Sequence, residues 1–262
     1  MHSRKMSVAG TFYPNKCETI EAMIKEFDEK VTSKYALPFH PKAIISPHAG
    51  YVYSGFTANS AYRLINTTGI KRVVVIGPSH RVYTKGASIS YHDTYETPCG
   101  DIMIDKHYSK ELASRYEYLH FQESLHQEHS TETQMPFVKH YFPKAQVVEI
   151  VYGEIDSSTI VPMIETILKE DETFLVISTD LSHFYNKEKA NALDEICLKA
   201  VKALDFKATK KGCEACGLIG VKALLEAAHK NGYKSELIDY RTSFDASGDA
   251  DSVVGYMSAL IG

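Results

Sequence analysis

A chain of 262 residues, 44% hydrophobic and 24% charged, has enough apolar side chains to bury the core of an α/β domain. Its formal net charge is −4 and its Lys and Arg are scattered, which excludes the basic stripe that nucleic-acid binding needs. No apolar run approaches a membrane-spanning length, and the opening MHSRKMSVAGTFYP has no apolar leader segment, so a cytoplasmic protein is expected.

In chain order, Ile20, Ile24, Phe27 and Val31 recur at helical spacing and predict a helix over 18–31. Short β-branched runs at 43–46, 72–76, 146–151 and 174–178 read as strands buried on both faces. Helical patterns at 55–64, 131–141, 157–168 and 187–204 alternate with them, and 217–231 reads as a further helix. Two strand-like runs, 234–242 and 252–261, end the chain and suit an antiparallel pair. No repeat or Gly/Ser/Pro linker divides these elements. The expectation is one domain, 1–262, with a mixed, mostly parallel sheet flanked by helices.

The strand ends carry the chemistry. AIIS leads to His48, VVVIG leads to His80, and FLVIS leads to Asp180 and His183. Ligands of open α/β sheets bind outside the carboxyl ends of the strands, so these side chains are expected to share a cleft. Histidine with carboxylate suits non-haem Fe(II), and a thiolate shifts preference toward Cu(I), Zn or Fe. Without a metal, the same groups suit acid–base work, with Asp180 orienting a histidine. Seven other histidines, His2, His40, His92, His107, His120, His140 and His229, are assigned to the surface or to ordinary hydrogen bonds.

Five cysteines, at 17, 99, 197, 213 and 216, are few and odd in number, so no disulfide framework is expected. Cys213 and Cys216 form a CxxC before the helix at 217–231; the helix start would favour a Cys216 thiolate, whereas Cys213 suits simple packing. The run HQEHSTETQMPF offers His126, Glu128, His129 and Glu132. His129 and Glu132 share a helical face and are candidates for the cleft, while Thr131 with Gln134 reads as a capping box.

At AGTFYP (9–14), PHAGYVYSG (47–55), GPSH (77–80), EHSTETQMPF (128–137), STDLSH (178–183), ACG (215–217) and SVVGYMSAL (252–260), the sequence resembles the Memo family. That family supplies protein B of the AmmeMemoRadiSam system and shares the fold of the class III extradiol, LigB-like dioxygenases. The resemblance covers nearly the whole chain. It implies an iron or copper site held by His48, His80 and Cys216, with His183, Asp180 and Cys216 as reacting groups. It also implies a cleft walled by Phe12, Tyr51 and Tyr53. Metal-dependent redox or oxygenase-like activity on a small substrate is the function it implies, with a radical SAM protein as partner. The alternative is an adaptor that holds a phosphopeptide in the same cleft.

Overall fold

The computed structural model of the chain describes residues 2–31 and 36–262. Its frame is a mixed sheet of β1 (Ala43–Ser46), β2 (Arg72–Pro78), β3 (Ala87–Ile89), β4 (Leu119–His120), β5 (Gln146–Tyr152), β6 (Thr173–Ser178), β7 (His183–Tyr185), β8 (Ser235–Thr242) and β9 (Val253–Ile261). The spatial order is β7-β9-β1-β6-β2-β5-β3-β4, with β8 also paired to β9. The central strands β1, β6, β2 and β5 run parallel. Antiparallel β9 joins β1 to β8, and antiparallel β3 follows β5. The central strands are the β-branched runs of the sequence, because only strands covered on both faces tolerate uninterrupted Val and Ile.

The helices are α1 (Cys17–Lys30), α2 (Phe56–Tyr62), α3 (Lys106–Arg115), α4 (His129–Glu132), α5 (Met135–Tyr141), α6 (Ser157–Leu168), α7 (Lys187–Lys202), α8 (Leu218–Lys230) and α9 (Phe244–Ser247). Successive strand residues point to opposite faces and therefore feed two cores. Ile45, Val74, Ile76 and Ile177 pack with Ile164 and Ile167 of α6 and Leu224 of α8. Ile44, Val73, Val75 and Val176 pack with Ile20 and Ile24 of α1, Tyr62 of α2 and Phe137 of α5. Among the described residues no helix is long and apolar enough to cross a membrane.

The expected α/β architecture is observed, with local differences. The helix expected over 131–141 is two short helices, α4 and α5. The Thr131–Gln134 capping box is not formed. Thr131 Oγ1 donates to Glu149 at 2.6 Å, Gln134 Nε2 donates to the Pro47 carbonyl at 2.9 Å, and Glu128 caps α4 by accepting from the Ser130 N–H. Long-range polar partners have outbid the local motif. Helix α2 is preceded by a π-helical turn, Tyr51–Gly55, which lies directly after the His48 loop.

The cysteine expectation is also corrected, since Cys17–Cys99 and Cys197–Cys213 are disulfides. Pairing follows from tertiary approach, with Cα–Cα distances of 4.7 and 4.8 Å that spacing along the chain does not reveal. The bonds close separations of 82 and 16 residues. Reducing both should lower the urea midpoint, loop closure being worth about 4.5 kcal/mol for the longer and about 3 kcal/mol for the shorter. An unchanged midpoint in reductant would contradict this.

Candidate metal centre

Cys216 and the turns after β1 and β2 converge on one point. Ligating atoms of His48, His80 and Cys216 all lie within 4.8 Å of one another. His48 Nε2 is 3.2 Å from Cys216 Sγ. Two glycines permit this convergence by close approach. A Cβ on Gly77 would stand 2.6 Å from Ser130 Oγ, and one on Gly217 would stand 2.6 Å from the Ser178 carbonyl and Thr179 Cβ. Gly77 thus lets α4 close over the His80 turn, and Gly217 seats Cys216 against the end of β6.

The hydrogen bonds fix which nitrogen each imidazole presents. Ser178 Oγ donates to the Ser130 carbonyl at 2.5 Å and accepts from Gln134 Nε2 at 2.9 Å. Its hydroxyl proton is therefore spent, so its 3.0 Å contact with His48 Nδ1 requires Nδ1 to be the donor. His48 Nε2 is left with a lone pair facing the thiol. Burial pushes the His48 imidazole down to about 4, which keeps it neutral. His80 follows the same rule through a carboxylate: Nδ1 is 3.1 Å from Glu128 Oε1, and its backbone N–H donates to Oε2 at 2.7 Å. Nε2 of His80 is again the free atom.

Glu128 is the residue that the helical-face reading passed over. Burial alone would raise its carboxyl, yet hydrogen bonds from His129 and His80 hold it far below the usual range. It also caps α4, and an acidic residue just before a short helix is the sequence signal that would have found it. Substituting Glu128→Gln should weaken metal binding by about 10- to 100-fold, as expected for a partner that orients a ligand. Competition with a chelator reads this, and an unchanged affinity would contradict it.

Burial, reinforced by the Asp180 charge, pushes the Cys216 thiol up to about 12. The thiolate expected from the helix start is therefore corrected: desolvation outweighs the helix terminus, and a metal must displace the proton. The Asp180 N–H donates to Cys216 Sγ at 3.2 Å. The Asp180 carboxylate accepts the His48 N–H at 2.7 Å and lies 3.9 Å from His48 Nε2. Backbone and side chain of one residue thus tie the third strand end to the first.

The other nominated residues are placed differently. His129 joins the cluster, with its ring centroid 4.5 Å from His80 and 5.4 Å from His48, and Nδ1 is 2.7 Å from Glu128 Oε1. Phe12 packs on His129 at 4.8 Å, and Tyr53 is half exposed. His183 begins β7 and shares a cavity of about 380 Å³ with Cys216, rather than joining the two imidazoles. Two cleft assignments are corrected. Tyr51 turns into the core, stacking on Phe137 at 4.7 Å and donating to the Thr133 carbonyl. Glu132 faces the N-terminal segment, where Arg4, Ser7, Val8 and Tyr13 occupy its carboxylate.

The residues fit a metal ion. Two imidazoles, each with Nδ1 engaged, and one thiol present a converging N, N, S set. Comparison with known proteins agrees in family. Residues 4–260 match the model of Memo-like proteins. A MEMO1 family protein of Aquifex aeolicus is 33% identical, covering 99% of each chain. MEMO1 family proteins of Methanocaldococcus jannaschii and Thermoplasma acidophilum are 33% and 30% identical, each over 98% of both chains. With almost its whole length matched, the chain belongs to the Memo family.

Proposed function

We propose that the protein is a metal-dependent redox enzyme acting on a small organic substrate, with iron or copper held by His48, His80 and Cys216. The observation that carries this reading is the pair of imidazoles whose Nδ1 atoms are engaged by Ser178 and Glu128, leaving both Nε2 atoms free as ligands beside a half-buried thiol. A soft thiolate beside imidazoles favours iron or copper over hard cations. When bound, such an ion supplies electron transfer and Lewis acidity at the strand ends.

The chain's own groups set the surroundings. Glu128 and Ser178 fix the two rings, while Asp180 holds the His48 turn and the Cys216 backbone. In this reading His183, which lines the cavity beside Cys216, is the group that exchanges a proton with the substrate. Phe12 supplies apolar surface against the His129 ring.

Anaerobic loading with Fe(II) or Cu(I), followed by a redox titration watched by optical or paramagnetic resonance spectroscopy, tests the reading. A stoichiometric ion that cycles between oxidation states is expected. A protein that takes up neither ion, or holds one that does not change state, would overturn it.

A further inference from the structure

A second set of ligating groups lies outside that centre, among residues the sequence had assigned to ordinary roles. Residues Ser3–Arg4 form a parallel pair with Thr94–Tyr95, in register Ser3 with Thr94. The backbone around His2 is held just before that pair: the His2 N–H donates to Asp93 Oδ2 at 2.7 Å, and the Asp93 N–H donates to the His2 carbonyl at 2.8 Å. This brings His2 against His92, with ring centroids 4.4 Å apart. Glu123 meets them from the start of a 3-10 helix, Glu123–Gln127, its Oε1 standing 3.0 Å from His2 Nε2. Ligating atoms of His2, His92 and Glu123 all lie within 4.8 Å of one another.

The surroundings are built rather than incidental. His92 is only 3% exposed, and Ser90 Oγ engages its Nδ1 at 2.8 Å, which leaves Nε2 as the ligating atom. An imidazole this buried, packed on a second imidazole, is an arrangement that an exposed His–Glu pair alone does not require. His92 and Glu123 line a cavity of about 280 Å³, with room beside them for water as a further ligand. Cations near the cavity have carboxylates of their own: Arg4 pairs with Glu132, and Lys5 lies 3.5 Å from Glu96. His126 is not available as a ligand, because Ser88 and Glu149 occupy both of its nitrogens.

We propose that His2, His92 and Glu123 form a second metal site, selective for a borderline divalent cation of the Zn²⁺ type. Two imidazoles and a carboxylate, with no thiol, are the donor set of open three-ligand zinc sites. The site is therefore distinct in chemistry from the thiol-containing centre and does not rest on it. Its ligands come from the segment around His2, the loop at His92 and the 3-10 helix that Glu123 opens, so occupancy would fasten the segment around His2 to the body of the fold.

The test is chelator-stripped protein titrated with Zn²⁺ against a chromophoric indicator. A chain carrying His48→Ala and Cys216→Ser should retain one equivalent of Zn²⁺. Adding His2→Ala or Glu123→Gln, both at exposed side chains, should weaken that equivalent by at least about 10- to 100-fold, with circular dichroism as the control for folding. In the otherwise unaltered chain the same two substitutions should remove one equivalent and leave the one that Cys216→Ser abolishes. Loss of all Zn²⁺ binding in the His48→Ala, Cys216→Ser chain would overturn the proposal. So would undiminished affinity in both His2→Ala and Glu123→Gln.

Discussion

Cys216→Ser is expected to abolish retention of Fe(II) or Cu(I) through gel filtration, lowering affinity at least 100-fold while leaving the fold intact. Serine is close to isosteric, and the backbone there is fixed independently of sulfur: the Cys216 N–H donates to the Asp180 carbonyl and the Gly217 N–H donates to Thr179 Oγ1. What is lost is the only soft donor of the set. A hydroxyl does not ionise near neutrality and is a poor ligand for a soft ion. Outer partners alone are worth about 10- to 100-fold in affinity, so removing a ligand itself should exceed that range. Metal analysis of anaerobically loaded parent and variant decides the matter, with circular dichroism as the control for folding. Equal metal content in the two would contradict the assignment of Cys216.

Glu132→Gln is expected to cost about 3 to 5 kcal/mol of stability while leaving metal stoichiometry at neutral pH unchanged. Arg4 and Glu132 are a fully buried ion pair, with side chains 2% and 0% exposed. The carboxylate also accepts from the Val8 N–H and Tyr13 O–H, each at 2.8 Å. Glutamine keeps the volume but removes the carboxylate that Arg4 touches directly, leaving Glu149 as the buried negative charge that still faces the guanidinium at longer range. The acid dependence follows in sign. Burial alone would raise the Glu132 carboxyl, but Arg4 and the donors around it hold it below its usual value. A depressed carboxyl contributes stability that is complete above the ordinary carboxylate range and lost as pH falls through its folded value. Buried Glu149, held low against its burial by His126 and Arg4, acts in the same sense. Urea midpoints should therefore fall with pH below the carboxylate range in the parent and more shallowly in Glu132→Gln. An unfolding free energy within about 0.5 kcal/mol of the parent would contradict the role given to the pair.

The contrast between Cys216 and Glu132 shows what the sequence made legible. The central strands were readable because burial on both faces demands continuous apolar runs, and the strand-end rule then carried His48 and His80 to one edge. His48 and His80 stand two residues beyond their strands, where the chain has no freedom to lead elsewhere. Cys216 was a weak signal from spacing, and the family resemblance supplied its assignment. Glu132 was misread because helical spacing from His129 says nothing about which side of a single-turn helix faces the centre. Arg4, more than a hundred residues away in sequence, decided its orientation. Glu128, though offered by its motif, and Ser178 were given no role for the same reason, since their work is to hold an imidazole that only the tertiary fold brings to them. The short strands Ala87–Ile89 and Leu119–His120 and the disulfides likewise depend on approach between distant segments. His2 and His92 are the sharpest case, ordinary as isolated residues and adjacent only once Ser3–Arg4 pairs with Thr94–Tyr95.

The central claim is that His48, His80 and Cys216 hold one metal ion together. X-ray absorption at the metal edge of anaerobically loaded protein measures the ligand set directly. It should show one sulfur and imidazole nitrogens around the ion, with the sulfur contribution lost in any ion that Cys216→Ser retains. A first shell of nitrogen and oxygen alone in the parent protein would contradict it.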